Sequence, residues 1–313
     1  MHTRDCMNHL TVSAATGAVF FTGARYGFIR YIWNDSILRK ALEKIIIMAV
    51  VRKNNIHIIG NPEAPQTLVF GHGFGIDQTS FREVVTAFAD DYKIVLYDNV
   101  GGGQSDLAAF SFNRYATTDG YVKDVADIIR ELGLTNVTFV GHSVSGMIGL
   151  LTSLQYPGIF ERLIMIGSSP RYLNDEVKDY IGGFNQQSLD DLYAAMEANY
   201  HAWASGFSAL AMNQPNRPEL AAGFAESLIA IRADIAIAVA RSIFQLDHRE
   251  ALQHVNIPVL ILQTADDIAV PGAVSEYMEA RIPDSKRIKV HTTGHFPHMS
   301  APQEVVSAIK TFL

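Results

Sequence analysis

The string Val137-Thr-Phe-Val-Gly141-His142-Ser143-Val144-Ser145-Gly146-Met147 restricts the fold of this chain more than any other. An apolar run leads into Gly-His-Ser-Val and then, without a spacer, into a stretch of helical period. A strand and a helix can be joined so abruptly only by a tight turn, with small residues where the helix backs onto the strand. A serine at that turn sits on strained backbone with its Oγ exposed, the arrangement of a nucleophile elbow. The usual spacing is G-x-S-x-G. Here Ser145 takes the last glycine position and Gly146 follows, a mild departure because serine is also small. The plainer reading of Ser143, an ordinary helix N-cap, is disfavoured by the strand–turn–helix context.

The rest of the chain from Met48 onward supports that context. Short apolar runs at 56–59, 67–70, 94–97, 137–140, 163–166, 259–262 and 288–290 alternate with amphipathic stretches at 81–88, 121–132, 144–155, 274–281 and 303–312. Such alternation predicts an α/β fold with a mostly parallel sheet flanked by helices. Gly133 is placed to stop the helix over 121–132. The alternation fails between about 170 and 255, where three helical patterns (189–212, 219–231, 235–244) and no strand occur. A helical block between two strands of one sheet is an insertion, expected as a lid over the carboxyl edge where open α/β sheets bind ligands.

A serine nucleophile needs a base, and the base an orienting acid. On this topology they follow in the order acid, then histidine, each at a strand's carboxyl end. The run 259–262 is followed by Asp266-Asp267-Ile-Ala-Val-Pro271, and the last strand by Thr293-Gly294-His295. His295 is the expected base. Asp267, four residues before Pro271, is the preferred acid; Asp266 is the competitor, expected as a loop or surface acid. His298 reads as structural, and His291 lies before the turn. The oxyanion donors are expected to be the backbone N–H groups of Val144 and of Phe74, the latter in Gly71-His72-Gly73-Phe74-Gly75. The loop 98–106, with Gly101, Gly102 and Gly103, is expected to turn tightly beside the pocket. Neither glycine loop has a phosphate-cradling pattern. His72 and His142 fit no metal spacing and are expected as satisfied structural histidines, so no metal or other cofactor is called for.

Composition removes several classes. Lys+Arg 25 against Asp+Glu 32 leaves a net charge of −7 with no basic run, which argues against a nucleic-acid partner. The single cysteine, Cys6, supports neither a disulfide framework nor a thiolate metal site. No apolar run reaches the ~18–20 residues of a membrane span, so a cytoplasmic protein without a membrane partner is expected. Residues 1–47 differ from the remainder: six basic residues face three acids, and six aromatics fall within 20–33 with no clean period. The expectation is an N-terminal extension outside the functional domain of 48–313, such as translation from an upstream start would add. The alternative is a short surface-attaching helix around 37–51.

Several strings together are specific to one group: Gly71-His-Gly-Phe-Gly-Ile-Asp-Gln78, Tyr97-Asp-Asn-Val-Gly101, Gly141-His-Ser-Val-Ser145, Tyr172-Leu-Asn-Asp175, Gly182-Gly-Phe184, Ile243-Phe-Gln245 with Asp247, and Gly294-His-Phe-Pro-His-Met-Ser300. With them, residues 48–313 resemble the RsbQ-like α/β-hydrolases, a group that includes a bacterial stress regulator and the plant strigolactone and karrikin receptors. The resemblance implies an α/β-hydrolase fold with a four-helix lid and a deep apolar pocket. It also implies the triad Ser143, Asp267 and His295, with Phe74 and Val144 as oxyanion donors. Trp203, Phe207 and Phe244 are implied as substrate-binding walls; lid-to-core packing is the alternative for each. Two functions follow: hydrolysis of a small hydrophobic ester, lactone or enol ether, or a small-molecule sensor whose ligand-bound lid is read by a signalling partner, a phosphatase in RsbQ-like systems. A dehalogenase or epoxide hydrolase would need aspartate at 143 and is excluded; carbon–carbon hydrolysis and acyl transfer stay open on the triad alone.

Overall fold

The computed structural model describes residues 10–12, 19–21 and 35–313. Contacts divide the chain into two units, Met1–Ile45 and Ile46–Leu313. In the first, β1 (Leu10–Val12) pairs antiparallel with β2 (Val19–Phe21). Helix α1 (Asp35–Lys53) crosses the division, so helix is the form taken where the alternative of a helix over 37–51 was drawn. The aromatic cluster at 20–33 lies mostly outside the described residues.

The second unit is built on seven strands: β3 (His57–Gly60), β4 (Thr67–Gly71), β5 (Lys93–Tyr97), β6 (Val137–His142), β7 (Arg162–Ile166), β8 (Val259–Asp266) and β9 (Ser285–Thr293). Their order is β3-β5-β4-β6-β7-β8-β9; β3 runs antiparallel at one edge and every other pairing is parallel. The central strands are continuous apolar runs because helices cover both faces. Along β4, Leu68 and Phe70 enter one core with Ile94, Val140, Ile164 and Leu260, while Val69 enters the other with Val95, Phe139 and Met165.

The first of these faces is covered by α2 (Arg82–Val85) and α11 (Pro302–Phe312), the second by α3 (Asp119–Glu131) and α4 (Val144–Gln155); α9 (Gly272–Glu279) and α10 (Pro297–Ser300) complete the frame. The helix expected over 81–88 is shorter than its apolar pattern: a 3-10 turn at Gln78–Phe81 hands over to four residues of α2. Gly133 closes α3 at φ +61°, with the Leu134 N–H returning to the Ile129 carbonyl at 3.0 Å.

Between β7 and β8 lie α5 (Gln186–Ala198), α6 (Tyr200–Met212), α7 (Pro218–Ala230) and α8 (Ala233–Phe244). The single helical pattern read over 189–212 is two helices. Asn199 leaves the helical region at φ −157°, ψ 89°, and its side chain accepts from the Ala202 N–H at 3.1 Å. An asparagine offers the backbone that alternative, so the apolar period continues while the helix does not. The two ends of the insertion are tied at its root. Arg171 pairs with Asp247 at 2.5 Å, and Arg249, 6% exposed, bridges Asp247 and Asp175 at 2.8 Å each. Among the described residues no helix is long and apolar enough to cross a membrane.

Candidate active site

Strand β6 and helix α4 meet at Ser143, whose φ of 55° and ψ of −124° are costly for a residue with a Cβ. The turn is held by its surroundings. The Ser143 N–H donates to the Ile166 carbonyl on β7 at 2.8 Å, and a Cβ at Gly141 would collide with the backbone of Ser145 and Gly146. Ser145, at the departure from the glycine pattern, has its own bonds. Its Oγ donates to the His72 carbonyl at 2.6 Å and accepts from Asn99 Nδ2 at 3.1 Å. A glycine there would leave the loops after β4 and β5 without this tie.

The loops after β8 and β9 bring Asp267 and His295 to the same point. The His295 Nδ1–H donates to Asp267 Oδ2 at 2.8 Å, and its Nε2 accepts from the Ser143 hydroxyl at 2.8 Å. The other oxygen of Asp267 accepts from the Ala269 and Val270 N–H groups at 2.8 and 3.0 Å, which fixes the carboxylate in its plane. Both Asp267 and His295 are buried. Asp266 is exposed, and its carboxylate accepts from Asn213 Nδ2 at 3.3 Å, away from the imidazole.

The histidine's main chain is held from two sides. Its N–H donates to the Ala211 carbonyl at the end of α6 at 2.8 Å, and its carbonyl accepts from His142 Nε2 at 2.9 Å. Gly294, at φ +85°, lies so close to the Met212 carbonyl that a Cβ would not fit.

The other histidines divide. His72 is satisfied: Nδ1 donates to the Gly73 carbonyl at 2.8 Å and Nε2 accepts from the Asn99 N–H at 2.9 Å. His142 departs at one nitrogen from the expectation of a satisfied structural histidine, while His298, expected as structural, is fully buried. His142 Nδ1 and both nitrogens of His298 are buried without a partner. Burial pushes both imidazoles toward the neutral form, His298 to about 3, reinforced by His295 and His72 nearby. His298 stacks on Phe81 at 4.7 Å, and exposed His291 pairs with Glu304 at 3.0 Å.

Phe74 and Val144 border one cleft of about 470 Å³, a volume that includes the solvent at its mouth. It runs from His72–Ile76 and the 99–102 loop past Thr118, Tyr121 and Ile148 to Ile231, Ala236, Val239 and Ile243. Trp203, Phe207 and Phe244 do not border it. Trp203 and Phe207 stack at 5.0 Å in the apolar cluster that holds Phe74, Phe224 and Phe296. Phe244 is buried edge-on to Tyr172 at 5.1 Å.

Tyr172 is the residue that sequence reasoning passed over. It is 1% exposed, its hydroxyl is turned toward Ser143 without completing a hydrogen bond, and burial pushes that phenol up, so it stays protonated. Its place in the string Tyr172–Asp175 was visible; the approach to Ser143 is not, because a packed insertion creates it.

The profile of a family described as alpha/beta hydrolase fold matches residues 66–302. The karrikin insensitive 2 receptor CA of Petunia hybrida is 42% identical over 264 residues, covering 84% of this chain and 96% of that protein. The strigolactone esterase RMS3 of Pisum sativum is 40% identical over 260 residues, covering 83% and 96%. Among solved structures, a hydrolase from Oleispira antarctica superposes with a TM-score of 0.82 at 34% identity, over 85% of this chain and 96% of that one. With its parallel sheet and these relatives, the chain belongs to the α/β-hydrolase fold family, in the group that holds the karrikin and strigolactone receptors and esterases.

Proposed function

We propose that this protein is a serine hydrolase acting on a small hydrophobic ester, lactone or enol ether. The observation that carries the reading is the unbroken chain Ser143–His295–Asp267, with both contacts of His295 at 2.8 Å. Ser143 Oγ attacks the carbonyl carbon as His295 Nε2 takes its proton, and Asp267 holds the imidazole in the tautomer that leaves Nε2 free. The oxyanion forms toward the Phe74 and Val144 N–H groups, which bind no other group within the described chain. His295 then gives its proton to the departing oxygen, and the acyl group on Ser143 is released by water along the same path. Similar proteins named as esterases support the assignment.

Replacing Ser143 by Ala or His295 by Ala is expected to abolish turnover of a short-chain aryl ester while the protein stays folded, since triad members act as a unit. Asp267→Asn should cost about 10³–10⁴ in kcat by favouring the wrong tautomer, and Asp266→Asn little. The reverse order for the two acids, or more than a few per cent of activity in Ser143→Ala, would contradict the roles given.

A second reading, a sensor that binds or slowly hydrolyses its ligand, is favoured by the direct contact between α6 and the His295 backbone. Similar proteins named as receptors agree with it. A ligand that displaces His295 must then strain the end of α6. Under this reading, a hydrolysable ligand changes hydrogen exchange in α5–α8 far more than in the sheet; unchanged exchange with fast, broad ester turnover removes it.

A further inference from the structure

We infer that the Tyr172 hydroxyl donates a hydrogen bond to the leaving oxygen, a second donor beside His295 that suits the site to esters and lactones of aliphatic alcohols. This role deepens the hydrolase reading and rests on it. The loop after β7 places the side chain. That strand lies between β6, which leads to Ser143, and β8, so the loop leaves the sheet on the side from which Asp267 and His295 come. Gly167, its first residue, has a φ of +57°, and a Cβ there would lie 3.5 Å from the His295 ring. The Phe74 loop follows β4, on the other side of β6. Tyr172 and the oxyanion donor Phe74 therefore reach Ser143 from opposite sides.

The phenol is held there with nothing to bond. Three successive carbonyls fix the backbone: Pro170 accepts from the His248 N–H at 2.8 Å, Arg171 from the Tyr180 hydroxyl at 2.6 Å, and Tyr172 from the Phe184 N–H at 3.1 Å. Phe244 meets the ring edge-on at 5.1 Å. The hydroxyl is buried and turned toward Ser143, and among the described residues it has no hydrogen-bond partner. Leaving a buried donor unpaired costs stability. In an active site that cost is accounted for when the reaction brings the partner. Burial keeps the phenol protonated, so it can only donate to an incoming oxygen.

The substrate supplies that oxygen. Ser143 Oγ attacks, its proton passes to His295 Nε2, and His295 delivers it to the leaving oxygen, which must lie on the His295 side of the carbonyl carbon. As the carbon–oxygen bond breaks, its electron pair passes to the leaving oxygen, and Tyr172 keeps its own proton throughout. Until the proton arrives that oxygen carries negative charge, and a hydrogen bond to a charged oxygen is roughly twice as strong as a neutral one. The bond is therefore stronger in the transition state than in the bound ester, which is the condition for a rate gain. The gain is large for an alkoxide, a poor leaving group, and small for a 4-nitrophenoxide, which is stable unprotonated.

The test compares Tyr172→Phe with the wild-type full chain by kcat/KM for ethyl, phenyl and 4-nitrophenyl acetate, which share one acyl group. The variant is expected to lose roughly tenfold on ethyl acetate, less than about twofold on 4-nitrophenyl acetate, and an intermediate factor on phenyl acetate. Its melting temperature should equal or exceed that of the wild type, because only an unpaired hydroxyl is removed. Equal losses on the three esters, or none, overturn the role while leaving the hydrolase reading intact. So does a lower melting temperature or an unfolded variant, since either would show that the hydroxyl is bonded in the resting protein. No turnover of any ester by the wild-type protein contradicts the hydrolase reading itself and takes the leaving-group donor with it.

Discussion

Around Ser143, single side chains carry consequences that depend on their protonation. His298 is fully buried with neither nitrogen paired, facing His142, His295, His72, Phe81 and Phe296. Its folded-state pKa of about 3 lies below the ~6.5 of an exposed histidine. The unfolded chain therefore binds the proton first on acidification. Stability is complete above about 6.5 and declines as pH falls toward 3, at up to about 1.4 kcal/mol per pH unit for this residue. His298→Leu should remove that share, so its urea midpoint falls less between pH 6.5 and 5 than the wild type's. Parallel curves would show that His298 is hydrated or paired in solution. Asp267 was separable from Asp266 in the sequence because its spacing to Pro271 suits a carboxylate that takes the Ala269 and Val270 N–H groups. The approach of Tyr172 to Ser143 and the unpaired nitrogens of His142 and His298 were not legible, because burial and pairing there depend on segments distant in the chain.

The element that matters most for the site outside the sheet is α6. It ends at Asn213, which adopts φ 45° and ψ 47°, so that the Ala211 and Met212 carbonyls face the turn carrying Gly294 and His295. Asparagine and glycine tolerate that conformation and β-branched residues do not. Asn213→Gly is expected to keep stability and turnover. Asn213→Val should cost about 1–3 kcal/mol and lower kcat more than KM, because the His295 loop loses its support. Equal kcat in the two variants, measured alongside their melting temperatures, would separate α6 from the chemistry. Strands were readable from Val, Ile and Leu runs that both-face burial imposes. The break at Asn199 was hidden, since Tyr200, Trp203 and Phe207 continue the apolar spacing through it.

For the whole molecule, the contact division at Ile45/Ile46 and the composition change near Met48 suggest one boundary. We propose that the functional domain begins there. Beyond Met48, α1 is joined to the body by Lys53 on Asp124 at 2.9 Å and by the Asn54 carbonyl accepting from the Asp98 N–H at 2.8 Å. A chain starting at Ile46 behind an initiator methionine retains those bonds and should match the full chain in melting temperature and ester turnover. A large fall in either would show that the first unit supports the second. The α/β-hydrolase architecture was legible because its alternation runs from Met48 to about 170 and resumes after about 255. The cavity was not, because its walls come from five separate segments.

The central claim is that Ser143 is a nucleophile activated by His295. It is tested most directly by intact-mass and peptide mass spectrometry after exposure to a short-chain alkyl fluorophosphonate. The account predicts one phosphonyl adduct, mapped to Ser143 and absent or greatly slowed in His295→Ala. An adduct on another residue, or none on a folded protein, would contradict it.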